Sequence, residues 1–182
     1  MRSELQGLVS FSISVMTMWQ VAHAAQPIHP YKAVYEEKSS SGVTLRTQYY
    51  DGKGRGRVEV QRGANQSYGI ADLNQHKIFM CDPRLGGSAM EMPLDREMEN
   101  SLSGLGDACR KASRPLGKKV IDGHPCTGIH YDMDGYSVDY WEGDDIGIRV
   151  MSVCNHPALG TTVTKLRSYS SESPNPTLFQ LK

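Results

Sequence analysis

The sequence predicts a mainly β fold: a half-open antiparallel β-barrel of about ten to eleven strands, with one amphipathic helix across its hollow. Turn-forming Gly, Asp and Asn residues recur at short spacing, and β-branched and aromatic residues fill the runs between them. One segment near the middle has a helical period instead. Because strand twist makes so wide a sheet curl, its hollow must be filled, and the helix is the obvious filler.

The first half of the chain is predicted to form six strands in a meander. Val58 and Val60 point to one side of their run, while Arg57, Glu59 and Gln61 point to the other. This alternation is typical of a half-buried strand. The six runs are 32–36, 43–50, 56–61, 66–72, 76–81 and 88–93.

The segment from Leu94 to Ala112 is predicted to be the helix. Its apolar residues recur at steps of three and four, the stripe of an amphipathic helix. They are Leu94, Met98, Leu102, Leu105, Cys109 and Ala112. Gly104 and Gly106 weaken this helix, since an interior glycine costs about 1 kcal/mol, and Pro115 prevents its continuation.

The second half returns to strands, about five of them. Asp122-Gly123 is a strong hairpin dipeptide between the first two. The tail from Ser170 to Thr177 is rich in Ser, Pro and Asn. The runs read as strands are 118–121, 126–131, 136–141, 146–153 and 161–169.

Residues 1–24 are predicted to be a cleaved secretory signal peptide, which leaves a single domain over 25–182. The run from Leu8 to Trp19 carries no charge, and Ala22-His23-Ala24 supplies the small residues that a signal peptidase recognises. A membrane anchor would need about 20 strongly apolar residues, and Ser, Thr and Gln dilute this stretch. We therefore expect a periplasmic protein that is not integral to the membrane, with full secretion as the alternative.

Charge and motifs argue against several function classes. Lys plus Arg and Asp plus Glu both number 20, so the formal net charge is zero. This balance gives no support for a nucleic-acid partner. The sequence has no nucleophile elbow, no His-Glu-x-x-His motif and no phosphate-binding loop. We expect a monomeric protein that is not an enzyme and has no cofactor.

The cysteines Cys81, Cys109, Cys126 and Cys154 are even in number, which in an exported chain favours two disulfides. Cys109 ends the predicted helix and Cys126 begins a strand 17 residues later. A Cys109–Cys126 bridge would tie the helix to the sheet, and Cys81–Cys154 would then be the second. Cys81–Cys109 with Cys126–Cys154 stays open, although Cys126 and Cys154 would lie near opposite ends of strands two apart.

A metal site is the competing interpretation of two of these cysteines. His124 and Cys126, together with Cys154 and His156, would form a Cys2His2 set if the two segments met. Oxidised cysteines in an exported chain would preclude it, so we expect no metal.

The order of strands and turns resembles a known family. The motifs that carry the resemblance are YKAVY (31–35), YYDGKGRGRVE (49–59), IDGHPCTGIHY (121–131), YWEGDDIGI (140–148) and NPTLF (175–179). Over roughly Pro30 to Phe179 they are similar to exported bacterial domains of the lipoprotein-carrier (LolA/LolB-like) superfamily, in an uncharacterised branch. The resemblance implies a half-open barrel over a helical lid, with an apolar hollow that holds acyl chains.

The function that follows is an exported binding protein that holds a lipid or acyl chain in the cell envelope, with an apolar ligand or a lipidated protein as its partner. Methionine suits such a pocket because it is flexible and polarisable. The predicted lining is Met90, Met92, Met98, Leu102, Leu105, Ile129, Trp141 and Ile148. The alternative is an accessory protein-binding module of the envelope, with a filled core and no small ligand.

Overall fold

A computed structural model of the chain describes residues 29–82, 89–94, 113–133 and 135–181. Within them, eleven strands form one antiparallel sheet in the order β6-β5-β4-β3-β2-β1-β11-β10-β9-β8-β7. The strands are β1 Tyr31–Ser39, β2 Gly42–Tyr50, β3 Arg55–Arg62, β4 Asn65–Asp72, β5 Lys77–Cys81, β6 Met90–Pro93, β7 Arg114–Ile121, β8 His124–Met133, β9 Tyr136–Gly143, β10 Arg149–His156 and β11 Gly160–Ser170.

Two meanders make up this sheet, and the pairing of β1 with β11 joins them. β1 pairs along its whole length with β2, and its other side pairs with β11 through a register shift at Val34/Tyr35. The strands at the two ends of the order, β6 and β7, do not pair with each other. The prediction of a mainly β, open, antiparallel sheet of about eleven strands is therefore confirmed.

Two predicted segments lie outside the described residues: the signal peptide and residues 95–112 of the helix. The helix across the hollow therefore stays a prediction. The one helical element in the described part is a 3₁₀ turn at Pro176–Phe179, where the Asn175 side chain accepts a hydrogen bond from the Thr177 N–H. No helix among the described residues is long and apolar enough to cross a membrane.

Strand alternation gives the sheet two faces, one of which we call the inner face. It carries Tyr35 of β1, and the register aligns Tyr35 with Arg46 of β2 and Arg46 with Val60 of β3. Its buried members are Tyr31, Ala33, Tyr35, Arg46, Gln48, Gly56, Val58, Val60, Gly69, Ala71, Ile78, Met80, Tyr131, Val138, Tyr140, Arg149, Ser152, Thr164 and Leu166. The opposite side is the outer face.

The inner face of β3–β6 is apolar. Val58, Val60, Ala71, Ile78, Met80 and Leu94 form one buried cluster, against which Met92 packs. Full burial of a Val, Ile or Met side chain contributes about 1.5–3 kcal/mol. This cluster therefore holds the first meander together.

The chain itself covers parts of the outer face. The C-terminal tail lies against β3, where Arg57 Nη1 donates to the carbonyl oxygen of Leu178 at 2.9 Å and Phe179 is buried. On the second meander, Trp141 of β9 lies against Gly128 of β8, and a Cβ at that glycine would come within 2.4 Å of Trp141 Cζ3. Only glycine leaves room for the indole there.

Candidate ligand-binding face

Met90 and Met92, two of the predicted lining residues, lie on β6 at the free edge of the sheet. The register aligns Met90 with Met80 and Met92 with Ile78, so both methionines belong to the inner face. Met92 packs against the apolar cluster, whereas Met90 is 47% exposed. The apolar surface therefore continues from the core to an edge that solvent reaches.

The other predicted lining residues do not join this surface. Ile129 packs beside Tyr131, Val138 and Tyr140. Trp141 follows Tyr140 on the same strand, so its side chain points to the outer face. Trp141 belongs to the same buried cluster as Ile148, and this cluster also includes Tyr31, Ala33, Tyr35 and Leu166 of the inner face. Met98, Leu102 and Leu105 lie outside the described residues.

Sequence reasoning missed two buried arginines on the inner face. Arg46 is 2% exposed and Arg149 is 4% exposed. The Cζ atoms of Arg46 and Arg149 lie 5.4 and 4.9 Å from the centre of the Tyr35 ring. Alternation along β2 would have predicted that the apolar Leu45 is buried and that Arg46 is exposed. Leu45 is instead 46% exposed, on the outer face.

The electrostatics around these arginines are unusual for a protein interior. Burial, together with the nearby Arg149, lowers the pKa of Arg46 to about 10, so this guanidinium stays charged at neutral pH. Burial raises the pKa of Tyr35, and raises those of Tyr31 and Tyr140 well above their ordinary value. The three phenols are therefore neutral and supply no negative charge.

The structure shows no disulfide among the described cysteines. Cys126 and Cys154 carry free thiols there, which gives no support to the Cys81–Cys154 pairing, and the Cys109–Cys126 bridge stays a prediction. Five strands separate Cys81 on β5 from Cys154 on β10, whereas a disulfide requires Cα atoms within about 7 Å. Cys109 lies outside the described residues. Burial raises the pKa of the Cys126 and Cys154 thiols, which favours their protonated form.

The two segments of the hypothetical metal site lie far apart. Cys154 is aligned with Val138, and Val138 with Tyr131, five residues from Cys126 along β8. Five residues of strand span about 17 Å. No group of three or more His, Cys, Asp or Glu side chains in the described ranges is arranged to hold a metal ion.

A separate surface cavity of about 580 Å³ lies at the hairpin ends of β8–β11. The Tyr136 and His156 rings stack there with centres 6.3 Å apart. Nδ1 of His156 accepts hydrogen bonds from the backbone N–H groups of Ala158 and Leu159. Asp132, Ser137, Asn155 and Thr161 also line the cavity, so its walls are far more polar than the inner face of β3–β6.

No protein-family model matches the chain. No curated protein matches it either. Among solved structures, an uncharacterised conserved protein from Thermus thermophilus aligns with a TM-score of 0.62 at 9% identity, over 84% of each chain. A chain of the Pseudomonas aeruginosa MucA/MucB complex aligns with a TM-score of 0.58 at 12% identity. That alignment covers 86% of this chain and 56% of the other.

The predicted resemblance to lipoprotein carriers has a named counterpart among these structures. A LolA superfamily protein from Nitrosomonas europaea aligns over 92% of this chain and 96% of its own, at 8% identity and a TM-score of 0.41. That score is too low to support a functional argument. The two better alignments establish a shared fold alone, and membership of the family remains a proposal.

Proposed function

We propose that this chain is a binding protein of the cell envelope that holds an apolar ligand, a lipid or acyl chain, on the inner face of β3–β6. One observation carries the proposal. A row of inner-face residues, Val58, Gly69, Met80 and Met90, runs from the buried core to the exposed edge strand β6. A single exposed methionine is ordinary in a soluble protein, but here it continues an apolar row from the core, and exposed apolar surface of this kind supports a ligand-binding groove.

Gly69 gives this row space for a ligand. It lies between Val58 and Met80 in register, and a Cβ built there would meet only the carbonyl oxygen of Phe79, at 3.7 Å, among the described residues. Within 4 Å of that Cβ position, no side chain of the described residues stands in the way of an acyl chain crossing β4.

The experiment compares two exposed apolar side chains on opposite faces. Met90→Gln is expected to weaken binding of a fluorescent fatty acid about tenfold, which is about 1.4 kcal/mol. Leu45→Gln is the matched control, because Leu45 is 46% exposed and Met90 is 47% exposed. Equal affinities of the two variants for the probe, or no binding by the unmodified protein, would contradict the proposal.

Gly69→Leu tests the same row from the inside. The added side chain would occupy the space over β4, so we expect loss of probe binding with the fold retained by circular dichroism. Unchanged affinity would show that the ligand does not cross Gly69.

A second candidate, a protein-binding module, is favoured by the edge strand β7. Its first seven residues are all exposed, with Val120 at 70%. Such an edge can accept an added strand from a partner. Native mass spectrometry of protein purified from its own envelope separates the candidates: a co-purified lipid supports the first and a co-purified polypeptide supports the second.

The envelope location depends on the predicted signal peptide. Intact mass of the exported protein should correspond to a chain that begins at Ala25. Retention of residues 1–24 by the exported chain would contradict cleavage there.

A further inference from the structure

Two guanidinium groups from distant parts of the chain lie over one tyrosine ring on the inner face. Arg46 is on β2 and Arg149 on β10, and β1 and β11 separate these strands in the sheet. Both Cζ atoms nevertheless lie within 5.4 Å of the Tyr35 ring centre. Cation–π contact stabilises each guanidinium, and more strongly when the pair is desolvated.

The hydrogen-bonding capacity of Arg149 is not fully used. Its side chain hydrogen-bonds to Tyr35, but its buried Nε has no hydrogen-bond partner among the described residues. Arg46 Nη1 forms an ion pair with Glu37 Oε2 at 3.9 Å, and the register aligns Glu142 with Arg149 across β9 and β10. A buried guanidinium N–H without an acceptor is costly, because water is excluded and nothing replaces it.

We propose that Arg149, with Arg46 beside it, binds the oxyanion head of an amphiphile, a carboxylate or phosphate that ends an acyl chain. This inference rests on the proposed function and specifies its ligand class. The planar arginine fork matches the oxygens of both head groups, and such charge-assisted hydrogen bonds are among the strongest in proteins.

The position of the arginines suits such a ligand. Arg46 is aligned with Val60, the residue at which the apolar part of the inner face begins. A chain attached to an anion at Arg149 would cross Arg46 and continue over Val60 toward Met80. The inner face thus places cationic and apolar groups in the order of an amphiphile's head and tail.

The arginines also lie close to an accessible end of the inner face. The next aligned pair along β1 and β2 is Glu37 and Thr44, and both are half-buried. The Glu37 side chain is 18% exposed, against 2% for Arg46. An anionic head would therefore pass a single row of residues to reach the guanidinium groups.

The test compares ligands that share a chain and differ in the head. A saturated fatty acid, the alkyl phosphate and the alcohol of equal chain length are titrated against the purified protein by calorimetry. We expect the two anions to bind about 10–100-fold more tightly than the alcohol, because a buried hydrogen bond to a charged group is stronger than one between neutral groups. A preference for one anion identifies whether the head is a carboxylate or a phosphate.

Arg149→Met should abolish this preference and leave alcohol binding within about threefold, because methionine keeps the apolar volume. Arg149→Lys, which keeps the charge without the fork, should retain part of it. Arg57→Met is the matched control, because Arg57 is also buried against a tyrosine but lies on the outer face. The Arg57→Met protein should prefer the two anions over the alcohol as strongly as the unmodified protein does.

The outcomes distinguish the inference from the function on which it rests. Equal affinity for all three ligands overturns the anion site and leaves the apolar site standing. Binding of none of them overturns both. An anion preference that survives Arg149→Met also overturns the assignment to Arg149.

Discussion

Two regions of this molecule bury an arginine against a tyrosine, and they differ in how fully the arginine is paired. On the outer face, Arg57 stacks on Tyr68 at 4.0 Å, its Nε donates to Glu59 Oε1 at 2.8 Å and its Nη1 to the Leu178 carbonyl. On the inner face, Arg149 stacks on Tyr35 at 4.9 Å with an Nε that has no hydrogen-bond partner in the described part of the chain.

The difference indicates two uses of the same residue type. A satisfied buried arginine fixes parts of the chain to one another, and Arg57 fixes the C-terminal tail to β3. An incompletely satisfied one retains donors for a group that the chain does not supply. Stability measurements should therefore respond strongly at Arg57 and weakly at Arg149.

The largest effect expected is alkaline destabilisation of the inner-face region. Unfolded phenols have a pKa near 10, and burial raises the pKa of Tyr31, Tyr35 and Tyr140 in the folded chain. Their contribution to stability is complete below pH about 10 and is lost as pH rises through the folded values. Arg46 acts in the opposite sense, because burial lowers its pKa from the ordinary arginine value to about 10 on folding.

This prediction is checked by following tyrosine ionisation and circular dichroism together. The buried phenols should ionise only as the fold is lost. Ionisation of all tyrosines near their unfolded pKa, with the fold intact, would show that the inner face is open to water. Arg46→Met should make the loss of stability at alkaline pH steeper, because it removes the opposing contribution of Arg46.

At Arg57, replacement by methionine is expected to destabilise by about 3 kcal/mol, at the lower end of the range for breaking a buried pair, since Glu59 is partly exposed. Urea denaturation measures the change. A loss below about 0.5 kcal/mol would indicate that the Glu59 and Leu178 contacts do not hold the tail.

Phe179→Ala tests the same clamp from the tail. Phe179 is buried, and Arg55 lies over its ring at 5.4 Å. We expect a loss of about 2 kcal/mol, less than a central-core Phe→Ala change because the tail can detach alone. The double variant Phe179→Ala/Arg57→Met should lose less stability than the two single losses added together, because each change alone already releases the tail. Full additivity would contradict a shared clamp.

The smallest change is expected for Arg149→Met without ligand. Replacing a buried, poorly paired charge by an apolar group of similar size is often neutral or stabilising, so we expect a shift within about 1 kcal/mol in urea denaturation. A loss of several kcal/mol would show that Arg149 is a structural residue like Arg57, and the contrast between the two regions would fail.

Local chemistry was sufficient to predict most strands. Val58 and Val60 alternate with charged neighbours and point inward as expected, and Asp122-Gly123 forms the predicted turn between β7 and β8. The same alternation fails on β2, where apolar Leu45 is exposed and Arg46 is buried. The burial of Trp141 also could not be predicted from its own strand, because the indole packs against Gly128 on the neighbouring strand.

By itself, the sequence determined the number, order and antiparallel character of the strands, because turn residues and period two act over a few neighbouring positions. The tertiary structure alone decided where the buried face departs from simple alternation, as at Arg46, that Arg46 and Arg149 meet at Tyr35, and that Cys81 and Cys154 stay apart. These features depend on pairing between β1 and β11, the first and last strands of the sheet in chain order. Such pairing is set by the packing of the whole sheet, and no local pattern encodes it.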